Sequence, residues 1–134
     1  MFSLLNIRPN IKRVGFEFVK KQIQCKSASC LLIHTMKNDE EKCLIDETLY
    51  AEFEEKKIND YLTDYHYDIE LIVYGKNATD DSAETKCKQF IQLGFKHVNW
   101  YVGGLFEWLL LQEIYGKGEF PTNGVCKDLL YYRT

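Results

Sequence analysis

The chain has 134 residues, 46% of them hydrophobic, and a formal charge of −3 at neutral pH. That suits one domain around one core and excludes a strongly basic nucleic-acid surface, since the 17 basic residues, 14 of them Lys, are scattered. No apolar run approaches the roughly 20 residues of a membrane-spanning helix, and five cysteines, Cys25, Cys30, Cys43, Cys87 and Cys126, form no Cys-x-x-Cys pair.

The N-terminal MFSLLNIRPNIKR has neither a leading positive region nor a small-residue cleavage site, so residues 1–12 read as an arm preceding a domain over 13–134. RVGFEFVKKQIQ (13–24) reads as a short strand and a helix, with Phe16, Val19 and Ile23 on one face. CLLIHTM (30–36) has strand length, and CLI (43–45) predicts a very short second strand. DETLYAEFEEKKINDYL (46–62) predicts a helix, or two short ones, with Asp46 as its cap and Leu49, Phe53, Ile58, Tyr61 and Leu62 as its stripe. IELIVYG (69–75) is the clearest strand; an apolar run without alternation suits a strand covered on both faces. AETKCKQFIQLGF (83–95) is the clearest helix, with Ala83, Cys87, Phe90 and Ile91 inward and Gly94 as its stop. KHVNWYV (96–102) predicts a strand, LFEWLLLQEIY (105–115) a helix, GKGEFPTNG a loop and VCKDLLYYRT a final short helix. Alternating strands and helices imply an α/β fold: a mostly parallel central sheet with helices on both faces and sites at the strands' carboxyl ends. The loop from Gly75 to Ser82 lies at such an end.

The odd number of cysteines argues against a disulfide framework and against a zinc site, and favours reduced thiols in a cytosol-like compartment. Cys87, Cys30 and Cys43 read as core or near-core residues, whereas Cys25 and Cys126 flank loops. His34, His66 and His97 lack metal-ligand spacing, so neither a metal nor a cofactor is expected. His34 ends a strand near the loop and reads as a hydrogen-bonded structural residue.

The stretch IVYGKNATDDSAETKCKQFIQLGFKHVNWYVGGLFEW resembles the second half of a rhodanese-like domain. The features that carry the resemblance are the strand Leu71–Tyr74, the loop 75–82, Leu93-Gly94-Phe95, the strand Val98–Val102, Gly103-Gly104 and Trp108. Upstream, CLLIHTM is similar to the family's first core strand, although His34, Thr35 and Met36 replace its usual Asp-Val-Arg ending. Lys-heavy usage and GGLFEWLLLQ also resemble rhodanese-like proteins of large DNA viruses. In active members, the resemblance implies, the loop opens with a nucleophilic Cys, its backbone N–H groups cradle an anion, and an Arg near its end pairs the oxyanion. Here Gly75 stands at the Cys position and Asp81 at the Arg position. The loop is one residue longer than the sulfurtransferase form, a length similar to that of cell-cycle-activating phosphatases.

Gly75 cannot attack sulfur or phosphorus, and a carboxylate in the cradle repels an anionic substrate by something on the order of several kcal/mol. Asp81 or Ser82 is expected to cap the following helix, with Glu84 completing a capping box. The loop Gly75, Lys76, Asn77, Ala78, Thr79, Asp80, Asp81 and Ser82 is therefore expected to be a degenerate active site without catalytic residues. The expected function is an inactive rhodanese-like domain that binds a protein partner or builds an assembly such as a viral particle, in the cytoplasm or virion, without membrane or nucleic-acid partners. Tyr65, Tyr67, Trp100, Tyr101, Tyr131 and Tyr132 are the interaction candidates. Two alternatives stand beside this: a sulfurtransferase or phosphatase using another cysteine, and a domain whose cradle binds an anion without turning it over.

Overall fold

The computed structural model describes residues 10–25 and 29–134. In chain order the elements are β1 (Lys12–Val14), α1 (Phe16–Cys25), β2 (Cys30–His34), a 3-10 turn (Asn38–Glu40), β3 (Cys43–Ile45), β4 (Thr48–Leu49), α2 (Ala51–Thr63), β5 (Glu70–Tyr74), α3 (Ser82–Leu93), β6 (His97–Tyr101), α4 (Gly104–Tyr115), β7 (Thr122–Gly124) and a final 3-10 turn (Leu129–Tyr132). The central sheet has the order β1-β6-β5-β2-β4, and every pairing in it is parallel. A separate antiparallel pair joins β3 to β7.

Two hydrophobic clusters, one on each face, explain the unbroken apolar runs. Ile72 and Tyr74 of β5 enter one cluster with Val19 of α1 and Leu105, Trp108 and Leu109 of α4. Leu71 and Val73 enter the other with Ile58 of α2 and Ala83, Cys87 and Phe90 of α3. Successive strand residues point to opposite faces, so a strand covered twice must be apolar at every position. Gly94 ends α3 at φ 110°, a left-handed conformation, and its N–H bonds the Ile91 carbonyl at 3.0 Å.

Three expectations require correction. The helix expected over 46–62 starts only at Ala51, because Thr48–Leu49 adds an edge strand beside β2. Asp46 does not cap it, and Phe53 is exposed. The stretch taken as loop after Gly116 contains β7, which pairs with β3. Most of the arm expected over 1–12 lies outside the described residues, but Lys12 already pairs with Asn99 in the sheet.

The cysteines also depart from expectation. Cys43 and Cys126 form a disulfide across 83 positions, while Cys25, Cys30 and Cys87 are free. An odd count leaves room for one bridge, and a pair so far apart leaves no local signal.

Candidate functional site

β2 and β5 end side by side, His34 against Tyr74, and the Thr35 N–H continues the pairing to the Tyr74 carbonyl at 3.0 Å. The loop 75–82 leaves the sheet here. Its carbonyls face α4: the Leu105 N–H donates to the Gly75 carbonyl at 3.0 Å and the Phe106 N–H to the Lys76 carbonyl at 2.9 Å. Gly104 makes this approach possible. Its φ is 69°, and a Cβ there would lie 2.7 Å from the Gly75 carbonyl oxygen.

The centre of the loop holds the Asp80 carboxylate. One oxygen accepts from the Lys76 N–H at 3.1 Å and the other from the Ser82 N–H at 3.0 Å. A Cβ placed on Gly75 would sit 2.9 Å from Asp80 Oδ2 and 3.1 Å from Thr35 Oγ1. Partial burial works against ionisation of Asp80. Hydrogen bonds from the Ser82 N–H and hydroxyl and from the Lys76 N–H, with the Lys76 charge, outweigh it and hold the carboxyl below its usual range. Asp80 therefore caps α3, not Asp81, whose side chain makes no capping bond. Asp81 is exposed and lines the cleft outside.

That cleft, of about 500 Å³, lies between the start of α2 and the start of α3, with His34, Thr35 and Met36 on its wall. Thr35 Oγ1 and Ser82 Oγ are 2.7 Å apart at its floor. Lys86 and Glu54 pair across it at 2.7 Å. His34 is buried and fully bonded. Its Nδ1 accepts the Met36 N–H at 2.9 Å, so the Nε2 proton points to Glu41 Oε2 at 2.7 Å. The same Glu41 oxygen accepts the Ala51 N–H at 2.7 Å and closes the start of α2. Partial burial opposes ionisation of Glu41, but the bonds from Ala51 and His34 win and its carboxyl is lowered.

On the other side of the loop, Lys76 Nζ is 3.3 Å from Glu40 Oε2, and the Tyr131 hydroxyl donates to the same oxygen at 2.8 Å. Asn77 is buried and donates to the Tyr132 carbonyl at 2.8 Å. Nothing in the sequence flagged Glu40, Glu41 or the C-terminal segment as partners of this loop.

Two of the free thiols, Cys87 and Cys30, are held in the protonated form by their surroundings. Cys87 is fully buried, and burial, with Glu84 nearby, pushes it up to about 12. Cys30 pairs with Glu70 at the opposite end of the sheet, and burial, reinforced by that carboxylate, pushes it up to about 11. Among the described residues no group of three His, Cys, Asp or Glu is arranged to hold a metal, and no helix is long and apolar enough to cross a membrane.

The aromatic candidates divide. Tyr65 is 79% exposed and Tyr131 37%. Tyr67 is half-buried against Phe95. Trp100, Tyr101 and Tyr132 are buried and are not surface contacts. β6 is an inner strand covered on both faces, so its aromatics fill the core, and Arg13 stacks 5.1 Å above the Trp100 ring.

No protein-family model matches the sequence, and no curated protein does. Solved structures do match. A crystal structure of the Alr3790 protein from Anabaena sp. covers 90% of this chain and all of its own, at 15% identity and a TM-score of 0.63. A solution structure of the rhodanese-like domain from the same protein covers 87% of this chain and 81% of its own, at 15% identity and 0.63. The BH2092 protein from Bacillus halodurans covers 84% and 77%, at 16% and 0.62. The fold is rhodanese-like. The resemblance read from Leu71–Trp108 therefore extends to the architecture of the described residues.

Proposed function

We propose that this chain is a catalytically inactive rhodanese-like domain that works by binding, as a protein-interaction or structural module. One observation carries the proposal: the Asp80 carboxylate takes the N–H groups of Lys76 and Ser82 at the position from which a side chain on residue 75 would have to operate. The loop supplies its own anion. The residue there is Gly, and the thiol nearest in sequence, Cys87, is buried and hard to ionise, which counts against a nucleophile borrowed from elsewhere. Exposed Phe53, Tyr65, Ile114 and Tyr115 are surface of the kind protein contacts use.

A thiosulfate:cyanide assay and a phosphate-ester assay, each repeated with single Cys→Ser variants, test the first half. The expected result is no turnover above buffer. A robust rate abolished by one of the substitutions overturns the proposal in favour of a non-standard cysteine. Affinity purification from the native source tests the second half, where a place in a viral particle or another assembly is one form the binding takes. A stoichiometric protein partner is expected, and a chain that elutes alone at native concentration counts against it.

A further inference from the structure

The segment after α4 has two kinds of attachment. Up to Gly124 it is held by the β3–β7 pairing, by the Trp108 indole N–H on the Pro121 carbonyl at 3.0 Å, and by Gln112 on the Phe120 carbonyl at 2.8 Å. Beyond Gly124 the chain is largely exposed: Val125 is 81% and Leu130 64% accessible. Its holds there are the disulfide at Cys126, the buried Tyr132 ring and the half-buried Leu129 packed on the core beside α4, and the contacts to the loop. Those contacts are close. Two ammonium groups lie close to the Tyr131 ring, Lys76 at 4.4 Å and Lys127 at 4.2 Å from its centre, while its hydroxyl reaches Glu40. The Tyr132 carbonyl takes the buried Asn77 amide, and the Asn77 Oδ1 in turn holds the Thr79 N–H at 3.0 Å and the Thr79 hydroxyl at 2.8 Å.

We propose that residues 125–134 form a strap over the 75–82 loop, latched by the Cys43–Cys126 disulfide, and that a dithiol reductant lifts the strap and frees the loop. The bridge ties the strap to β3, and the strap ties Asn77 and Lys76. Losing the latch therefore acts on the loop through the strap, while the sheet keeps its own hydrogen bonds. Cys43 is 1% exposed and Cys126 half-buried, so the reductant's thiolate attacks the Cys126 sulfur. The Sγ–Sγ bond breaks, its electron pair goes to Cys43, and Cys43 takes a proton. The reductant's second thiol then displaces Cys126 as a thiolate, which is protonated in turn. Two electrons have passed, and the reductant ends as its own disulfide. This inference is independent of whether the loop is catalytic.

Hydrogen–deuterium exchange on the full chain, with and without dithiothreitol, reads it out. Reduction is expected to speed exchange in peptides covering 125–134 and 75–82 by roughly tenfold or more, leaving those covering 70–74 and 97–101 unchanged. Cys126→Ser without reductant should reproduce the pattern, and Cys25→Ser should not. Unchanged protection of strap and loop overturns the latch. So does loss of protection in the sheet, which would make the bridge a staple of the whole fold. Alkylation of Cys43 and Cys126 in the unreduced, air-oxidised chain overturns it as well. If Cys126→Ser does not fold, the reductant titration of the unsubstituted chain still decides.

Discussion

Two helices, α2 and α3, open their N-termini onto the same cleft, and each is closed by a carboxylate of the chain itself. Helix starts present unpaired N–H groups and a positive dipole end, and so favour an anion. At α3 the anion is Asp80, two residues from the N–H it holds. At α2 it is Glu41, ten residues away, which also carries the buried His34. The local cap closes a loop onto itself. The distant one joins the end of β2 to the start of α2, so it fixes the position of a whole element. The distant cap should matter more to stability and the local one more to what the cleft admits.

Removing Glu41 is the sharpest way to break that comparison. Glu41→Ala leaves the His34 Nε2–H without an acceptor in a buried site and frees the Ala51 N–H. The expected loss is about 2–3 kcal/mol by urea denaturation. Glu41→Gln keeps an acceptor and should recover most of it. A loss no larger than that of Asp80→Ala would remove the distinction between the two caps.

Gly75→Cys comes next. The new Cβ meets Asp80 Oδ2 at 2.9 Å and Thr35 Oγ1 at 3.1 Å, an overpacking expected to destabilise by about 1–3 kcal/mol. Combining it with Asp80→Gly removes the closest contact, so the double variant should lose less than the sum of the singles. Simple additivity in a thermodynamic cycle would show that the carboxylate does not occupy that space in solution.

The part of the site that the sequence revealed is the part built from near neighbours. β5, the loop, α3 with its Gly94 stop and β6 follow from apolar runs, helical spacing and a left-handed glycine. A cap at the start of α3 was legible too, but Asp81 or Ser82 with Glu84 was expected and Asp80 makes the bond. Asp80 and Asp81 both have the chemistry, and choosing between bonds two or three residues long requires the loop's conformation. Glu41 on Ala51, Tyr131 on Glu40 and Cys43 on Cys126 are set by the tertiary path alone. The same limit explains Trp100, Tyr101 and Tyr132: an aromatic beside polar residues reads as half-exposed until the strand is known to be covered twice. Leu49 failed for another reason, since its apolar side chain fits a helix stripe and an edge strand equally well.

Asp80→Ala should cost about 1 kcal/mol, the ordinary value of a lost cap, but change the cleft's ligand response. The melting temperature of the unsubstituted chain is expected to ignore millimolar sulfate or phosphate, and that of Asp80→Ala to rise with it by mass action. A rise in the unsubstituted chain would favour a native anion site. Asp80→Asn separates charge from hydrogen bonding. In the folded chain Asp80, Glu40 and Glu41 all lie below their usual values of 3.8, 4.5 and 4.5. Each contributes stability that is fully present above those values and lost as pH falls through the lower folded ones. An acid unfolding limb should therefore begin near pH 4 and steepen below it, and Asp80→Asn should flatten it by one contributor.

The smallest effect belongs to the pair that links the two helices directly. Lys86 on α3 and Glu54 on α2 meet at 2.7 Å, each partly shielded from solvent. Their Coulomb attraction is offset by desolvation and by ordering a long lysine chain, so a double-mutant cycle between Lys86→Ala and Glu54→Ala should give a coupling of about 0.5 kcal/mol. The value should fall in high salt, whereas the effect of Glu41→Ala should fall less, because it strands a hydrogen-bond donor on the buried His34 ring rather than breaking an ion pair. A Lys86–Glu54 coupling as large as the Glu41→Ala loss would mean that α2 is positioned by the salt bridge across the cleft rather than by the carboxylate beneath it, and the order of importance argued for the two helix starts would be reversed.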